Sequence, residues 1–496
     1  MLRRSAHPLK RWILQLCSLL ALVGPACSKQ VEEAADDRDG HGKILLIGID
    51  GLEWNVILPL LREGKMPNLA RLMADGVFGE LETYAPAKSP VIWTTVATGK
   101  PPENHGILDF MISESPGTRR FYNSRDRRCK AIWNILSEFG RRVDVIGWWN
   151  TFPVDRDVNG VVVSQANTDE EFRKREILKG GLLRGVPGQV HPESRQDEML
   201  GIFAEVDGRL NEYCDRLFAS VGSVRAPLAR YHIEQSRWTI RSDEAYRQIA
   251  LRLMKEPEVP DLFAVYLSTP DVVGHRFWRF YEPGAFKYPP PAELVSAFAD
   301  VIPNAYIEAD RAIGEFIRAF PRNADVIVIS DHGMGASNTQ LDFMQFSPTD
   351  TSESGAHTDG PPGIFVAAGP SFKASTADEK SIRTLQRKDI RRIGRVIDIA
   401  PTILALLDVP IGRDMTGRPL QSILSEGRVR ELRIYYVDTH ESQEWFSSRD
   451  QDRAEHAGYD ERMRQLRSLG YISDDPTQGT TTVPTTAPGS DKNVAP

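Results

Sequence analysis

The sequence predicts an α/β fold in which a mostly parallel central sheet is flanked by helices on both faces, with a helical insertion. Three observations predict it. Compact apolar runs with β-branched character recur at Ile44–Ile49, 143–148, Leu262–Leu267, 326–329 and 364–367. Such unbroken runs suit strands buried on both sides, as in sheets whose crossover helices cover each face. Stretches with helical character lie between them, at 68–74, 131–139, 243–254 and 304–319, which gives the alternation expected of α/β architecture. Residues 165–240 carry many charges and few β-like runs, and are predicted to be an insertion packed over the sheet.

The chain has 496 residues, 41% of them hydrophobic, enough to bury a large core, and a net charge of −7. No basic stripe stands out, so a nucleic-acid-binding surface is not expected. A phosphate substrate remains compatible with that charge, because bound metal ions invert the local field. At the start, Arg3, Arg4, Lys10 and Arg11 precede or flank the apolar stretch 12–23, followed by Gly24 and Ala26. That stretch is short for a bilayer span, so residues 1–26 are predicted to be a signal peptide and the protein to be exported, periplasmic or at the cell surface. Cys27 resembles the lipidated cysteine of bacterial lipoproteins, with 27–42 as an acidic tether to the membrane; the alternative is cleavage after Ala26 with an unmodified thiol. Cys129 and Cys214 would remain in the body, and sequence leaves their pairing open. With no CxxC spacing, any metal must sit on histidine and carboxylate. Residues 426–473 are predicted to form an extension, and 474–496, rich in Thr, Pro and Gly, a disordered tail.

Three aspartates follow apolar strands: Asp50 in KILLIGIDG, Asp271 in LFAVYLSTPDVVGH and Asp331 in DVIVISDHG. In open α/β sheets, ligands gather outside the carboxyl ends of the strands. Carboxylates converging there repel one another unless a cation compensates them. His332 adjoins Asp331, His275 follows Asp271 by four residues, and His357 lies in ESGAHTDG. Imidazole and carboxylate without thiolate suit zinc, or manganese in its place. Any one of these residues alone would read as a turn, a cap or a structural histidine; their order after strands points to metal. In PAKSPVIWTTVATGK, Pro90 suits a first helical turn, which makes Ser89 the predicted N-cap and Gly99 the stop. A serine there would meet the positive end of the helix dipole and unpaired N–H groups, an arrangement suited to a phosphoryl group.

These motifs resemble the alkaline phosphatase superfamily, in its type I phosphodiesterase/nucleotide pyrophosphatase branch. GIDG at 48–51, MPNLARLMADG at 66–76, the block from Ser89 through HGI at 105–107, DHGMG at 331–335 and VIDIAPTILALLDVPIGRDMTGRPL at 396–420 carry the resemblance. It implies an alkaline-phosphatase-like catalytic domain over 43–425. It also implies two divalent ions, one held by Asp50, Ser89, Asp331 and His332, the other by Asp271, His275 and His357. Ser89 would be the nucleophile toward a phosphate ester, with a phosphoserine intermediate. Nucleotide pyrophosphatases usually carry T-F-P-N at the nucleophile and an asparagine after HGI-x-D; here stand Ser89-Pro90-Val91-Ile92 and Phe110. Lys88 and Lys100 are candidates for the missing phosphate donor, and Phe110, Phe277 and Trp278 for substrate contacts, although surface roles are the commoner ones for such lysines and packing the commoner one for such aromatics. The C/S-x-P-x-R signature of sulfatases is absent. The functions left standing are a phosphomonoesterase or phosphodiesterase, a transferase of phospho-head groups to lipid or glycan acceptors, and a non-catalytic metal-binding lipoprotein. Oligomeric state does not follow.

Overall fold

The computed structural model describes residues 42–115, 118–165, 181–182, 186–221, 227–340 and 354–447. The predicted signal peptide, Cys27, nearly all of the tether and everything predicted beyond 447 lie outside them. The chain divides into two units, residues 1–440 and 441–496, and in the second the described part is a helical turn at 443–447.

The central sheet has nine strands: β1 (Ile44–Ile49), β2 (Val77–Glu82), β3 (Val143–Ile146), β4 (Val162–Val163), β5 (Val190–His191), β6 (Leu262–Leu267), β7 (Asp325–Ile329), β8 (Gly363–Ala368) and β9 (Arg392–Arg395). Their order is β9-β2-β8-β7-β1-β6-β3-β4-β5. β1 lies at the centre and pairs in parallel with β6 and β7, while β3 pairs in parallel with β6 and β4. β8 runs antiparallel to both β7 and β2, and β5 antiparallel to β4, so the sheet is mixed but mostly parallel. Every residue of β1 is buried. Period-two alternation sends Leu45, Ile47 and Ile49 into the core on one face, and Ile44 and Leu46 into the core on the other.

The helices that matter for the site are α1 (Trp54–Arg62), α2 (Pro67–Asp75), α3 (Ser89–Thr98), α4 (Ile132–Glu138), α5 (Gln196–Leu217), α6 (Pro227–Leu253), α7 (Thr269–Tyr281), α8 (Val301–Ala319) and α9 (Ile399–Leu406). α6 is far longer than the 243–254 segment that periodicity singles out; α5 and the first part of α6 occupy most of the described part of 165–240, which also supplies the edge strand β5 to the sheet. Among the described residues no helix is long and apolar enough to cross a membrane. Cys129 and Cys214 are buried thiols, outside any disulfide.

α3 is unusual because all ten of its residues are buried. Its sequence, SPVIWTTVAT, has no charged face to give to solvent, so it fits only inside the molecule. Gly99 ends it at φ 64°, a left-handed conformation natural to glycine. The N-terminus corrects the expectation for Ser89. Lys88 occupies the cap, in an extended conformation, and its carbonyl accepts from Val91 N and Ile92 N at 2.9 and 3.0 Å. Ser89 is therefore the first helical residue.

His105 braces α3 from below, fully buried. Ile107 N–H donates to its Nδ1 at 3.2 Å, so Nε2 carries the proton and donates to Thr95 Oγ1 at 3.0 Å. The Thr95 hydroxyl in turn donates to Val91 O. Burial, then the nearby Arg127 charge, lowers the His105 pKa to about 3. Below the unfolded value of 6.5 the unfolded chain takes up a proton that the folded chain refuses until about pH 3. The contribution of this histidine is thus complete above pH 6.5 and lost as the pH falls toward 3. In chemical denaturation between pH 6.5 and 4, His105→Asn should flatten the stability slope by up to about 1.4 kcal/mol per pH unit. An identical slope in wild type and variant would show that His105 does not titrate in this way.

Candidate metal centre

The strand-end aspartates and the histidines assemble at the carboxyl ends of β1, β6 and β7. Asp50 directly follows β1, Asp331 lies two residues after β7, and Asp271 sits in the first turn of α7, which follows β6. Adjacent parallel strands in register carry their C-terminal residues to one edge, and this brings together positions far apart in sequence.

Two groups of three ligand atoms face each other. In the first, His332 Nε2 lies 3.3 Å from Asp50 Oδ1 and 3.2 Å from Asp331 Oδ2. In the second, His275 Nε2 lies 3.4 Å from Asp271 Oδ1 and 3.0 Å from His357 Nε2, and His357 Nε2 lies 3.6 Å from Asp271 Oδ1. The rings of His332 and His357 stack at 3.7 Å, which joins the two groups. A tetrahedral zinc site with bonds of about 2.0–2.1 Å has ligand-to-ligand edges of about 3.3–3.4 Å. The separations of both groups scatter around that length.

Hydrogen bonding decides what the ligand atoms present. His332 Nδ1 donates to Gly333 O at 3.0 Å, which leaves a lone pair on Nε2. Burial holds its pKa down at about 3, so the ring is neutral and its contacts with the two carboxylates are not ion pairs. Asp50 Oδ1 and both oxygens of Asp331 are buried without a hydrogen-bond partner. Burial and the neighbouring Asp50 push the Asp331 pKa well up. Three electron-pair donors converging with no hydrogen-bond donor aimed at them are a poor protein interior and a good cation site. In the second group, His275 Nδ1 donates to Gly355 O at 2.9 Å and so turns its own Nε2 lone pair inward. His357 is held down at about 2, by burial first and then by the two other histidines. The first group is wholly buried, whereas Asp271, His275 and His357 are partly exposed, so access is from the second side.

The loops that carry the first group lock together. Ser330 Oγ accepts from Leu52 N at 3.0 Å and donates to His332 O at 2.7 Å. Glu53 caps α1 through Asn55 N and packs against Gly333, where a Cβ would come within 2.2 Å of its Oε2. Asp243 from α6 accepts from Ser268 N and Thr269 N at 2.7–3.0 Å and so fixes the start of α7, the helix with Asp271 and His275 four residues apart on one face.

Neighbours of Ser89 on either side along the chain reach both groups. One turn along the same face of α3, Trp93 Nε1 donates to Asp50 Oδ2 at 3.0 Å. Two residues before Ser89, the Ala87 carbonyl faces His357. The expected cluster of free N–H groups is smaller than the sequence suggests. Pro90 has none, and those of Val91 and Ile92 both donate to Lys88 O.

The other candidates separate into two sets. Lys88 is half-buried and pairs with Asp109 at 2.5 Å, which ties the residue before Ser89 to the residue before Phe110. Phe110 is 38% exposed, with its ring edge-on to Trp149 at 5.8 Å. Lys100, by contrast, is buried and ion-paired with Asp414 at 2.7 Å, so it serves the fold rather than a phosphate. Phe277 is fully buried among His232, Phe280 and Phe298. It stands two residues after His275, about 200° around the helix, and therefore points away from the metal ligands. Trp278 is buried too, with its indole N–H bonded to Glu282 at 3.0 Å. Both side chains are engaged in packing or hydrogen bonding within the fold.

Sequence reasoning missed Tyr266 and Asn150. Tyr266, on β6, donates to Asp50 Oδ2 at 2.6 Å. Asn150, at φ 55°, donates to Pro90 O and Thr94 Oγ1 and so clamps the start of α3. Nothing in the local pattern marks either residue; only the pairing of β6 with β1 and the turn after β3 bring them in.

Residues 44–393 match the family described as Type I phosphodiesterase / nucleotide pyrophosphatase. Over 161 residues the chain is 29% identical to 2,3-bisphosphoglycerate-independent phosphoglycerate mutases of Cereibacter sphaeroides, covering 32% of this chain and 23% of those relatives, less than a quarter of their length. Among solved structures, it is similar to murine ectonucleotide pyrophosphatase / phosphodiesterase 5 in complex with AMP, at 14% identity and TM-score 0.45, covering 78% of this chain and 100% of that one. Phosphonoacetate hydrolase from Sinorhizobium meliloti in complex with phosphonoformate aligns at 18% identity and TM-score 0.35, over 59% of this chain and 57% of that one. With a match that spans most of the chain and the two carboxylate–histidine groups in place, the protein belongs to the type I phosphodiesterase/nucleotide pyrophosphatase family.

Proposed function

We propose that this chain is a metal-dependent hydrolase of phosphate esters, acting outside the cytoplasm, with Ser89 as its nucleophile. The observation that carries the reading is the pair of adjoining ligand groups, spaced as the edges of zinc tetrahedra, each reached by a residue within one turn of Ser89. Asp50, Asp331 and His332 would hold one divalent ion, with Ser89 beside them, and Asp271, His275 and His357 the other. The donor set of carboxylate and neutral imidazole suits zinc, with manganese as the substitute. Two such ions would supply charge for the attacking and leaving oxygens of an in-line displacement at phosphorus.

The remaining work falls to the chain. The rigid first turn of α3, pinned by Asn150 and by Trp93, aims Ser89 Oγ at the phosphoryl group. The Ser89 N–H and the helix dipole favour a bound anion there. Gly333 O and Gly355 O hold His332 and His275 in the tautomers that point lone pairs inward. Lys88 carries positive charge at the rim, shared with Asp109. Phe110 and the half-buried Trp149 form an apolar wall for whatever the phosphate esterifies.

The test is hydrolysis of aryl phosphate monoesters and diesters by the purified chain, stripped of metal and then supplied with zinc or manganese. Metal-restored turnover of at least one ester class is expected, with preference for the diester because the apolar wall at Phe110 favours a second substituent. Equal, metal-insensitive background rates on both classes would sink the proposal.

A further inference from the structure

The two oxygens of Asp50 have unlike surroundings. Oδ2 receives the Tyr266 hydroxyl at 2.6 Å and Trp93 Nε1–H at 3.0 Å. Oδ1 receives nothing and lies 3.3 Å from His332 Nε2. The phenol oxygen of Tyr266 is itself engaged, accepting from Trp149 Nε1–H at 2.8 Å. Trp149 and Tyr266 thus form a chain of donors, each oriented toward the Asp50 carboxylate, that begins at the half-buried wall beside Phe110 and ends at the buried ligand group.

The aromatic residues in this chain are held by one another. Trp93 packs edge-on against Trp148 at 5.0 Å and Tyr266 at 5.2 Å, and Trp149 against Tyr266 at 6.4 Å. Trp148 Nε1 donates to Trp93 O at 3.2 Å, fixing the backbone of the helix that carries Trp93. Gly48 leaves the room that Trp93 needs, since a Cβ there would come within 2.7 Å of its ring. Trp93 can reach Asp50 only because β1 has no side chain at this point.

We infer that Tyr266, Trp93 and Trp149 are positioning residues that saturate Asp50 Oδ2 and so commit Asp50 to bind metal through Oδ1 alone. This rests on the reading of Asp50 as a metal ligand. The physical reason is competition for lone pairs. A carboxylate oxygen already accepting two hydrogen bonds is a weaker and worse-directed donor to a cation, and the second oxygen takes the ion. Single-oxygen coordination keeps the coordination number low and a position open for substrate, whereas a chelating carboxylate would occupy that position.

The experiment uses the full chain, stripped of metal and titrated with zinc against a chromophoric chelator, and in parallel with cobalt(II), whose visible absorption falls as coordination number rises. Tyr266→Phe removes one hydroxyl and keeps the ring. It should weaken one of the two sites about 10- to 100-fold, leave the other as in wild type, and lower the cobalt absorption as Asp50 becomes free to chelate. Trp149→Phe, at a half-buried position, removes only the donor to Tyr266 and should shift both readouts the same way by about tenfold or less. Wild-type affinity and spectrum in Tyr266→Phe would overturn the inference. Should Tyr266→Phe fail to fold, unchanged readouts in Trp149→Phe overturn it instead. A wild-type chain that binds neither ion would remove the metal-centre reading, and this inference with it, so the two failures are told apart.

Discussion

Ser89→Ala is expected to lower kcat on phosphate esters by about three orders of magnitude or more, while the chain still binds two metal ions. The substitution takes away one oxygen at a position that is 4% exposed and makes no new volume demand. The α3 N-terminus is set by Lys88, whose carbonyl holds Val91 and Ile92, and by Asn150 on Pro90, so the helix should start where it does now. Asp50, Asp331 and His332 still offer three ligand atoms to the first ion. Loss of turnover with retained metal would therefore report the missing nucleophile and not a missing site. Ser89→Thr keeps the hydroxyl and should retain measurable activity, reduced by the crowding of the added methyl. Steady-state kinetics with metal analysis checks both variants. If Ser89→Ala turned over phosphate esters like wild type, another group would have to attack phosphorus.

Asp331→Asn is expected to change stability in opposite directions with and without metal. Asp331 is fully buried beside Asp50, and its carboxylate oxygens accept no hydrogen bond. In the metal-free protein, burial and the neighbouring Asp50 penalise the Asp331 carboxylate, so folding costs either an uncompensated charge or the uptake of a proton; Asn bears neither cost and should raise stability by about 1–3 kcal/mol. In the metal-loaded protein the same carboxylate is a ligand, and its loss should weaken the site and cancel the stabilisation that metal supplies. That stabilisation is about 4 kcal/mol at a free ion concentration a thousand times Kd. Thermal unfolding of both proteins, with chelator and with zinc, gives four midpoints. The variant should melt higher than wild type in chelator and lower in zinc. A variant that melts lower under both conditions would mean that Asp331 holds the fold through contacts unrelated to a cation.

The residues that make up the ligand groups were legible because each follows an apolar strand or stands in a short motif. Asp50 ends KILLIGID, Asp331 and His332 follow DVIVIS, and Asp271 and His275 are one helical turn apart. Strand topology then does the rest, since parallel neighbours deliver their ends to one place. Phe277 misled for an equally local reason. Nearness along a helix is not nearness in space, and Phe277 faces the opposite side from His275. Lys100 misled because a lysine beside a phosphate-binding turn and a lysine buried on Asp414 look alike until residue 414 is placed.

By itself, the sequence determined the α/β class, the strand-end carboxylates and histidines, and the helix that Gly99 closes, because each depends on contacts between residues close along the chain. Only the tertiary structure decided which oxygen of Asp50 is left for a cation, which donors fill the other, and that Val91 and Ile92 spend their N–H groups on Lys88. The Asp50 donors come from positions 93 and 266, joined by the pairing of β1 with β6 and by the space that Gly48 leaves, and no local pattern encodes a meeting of that range.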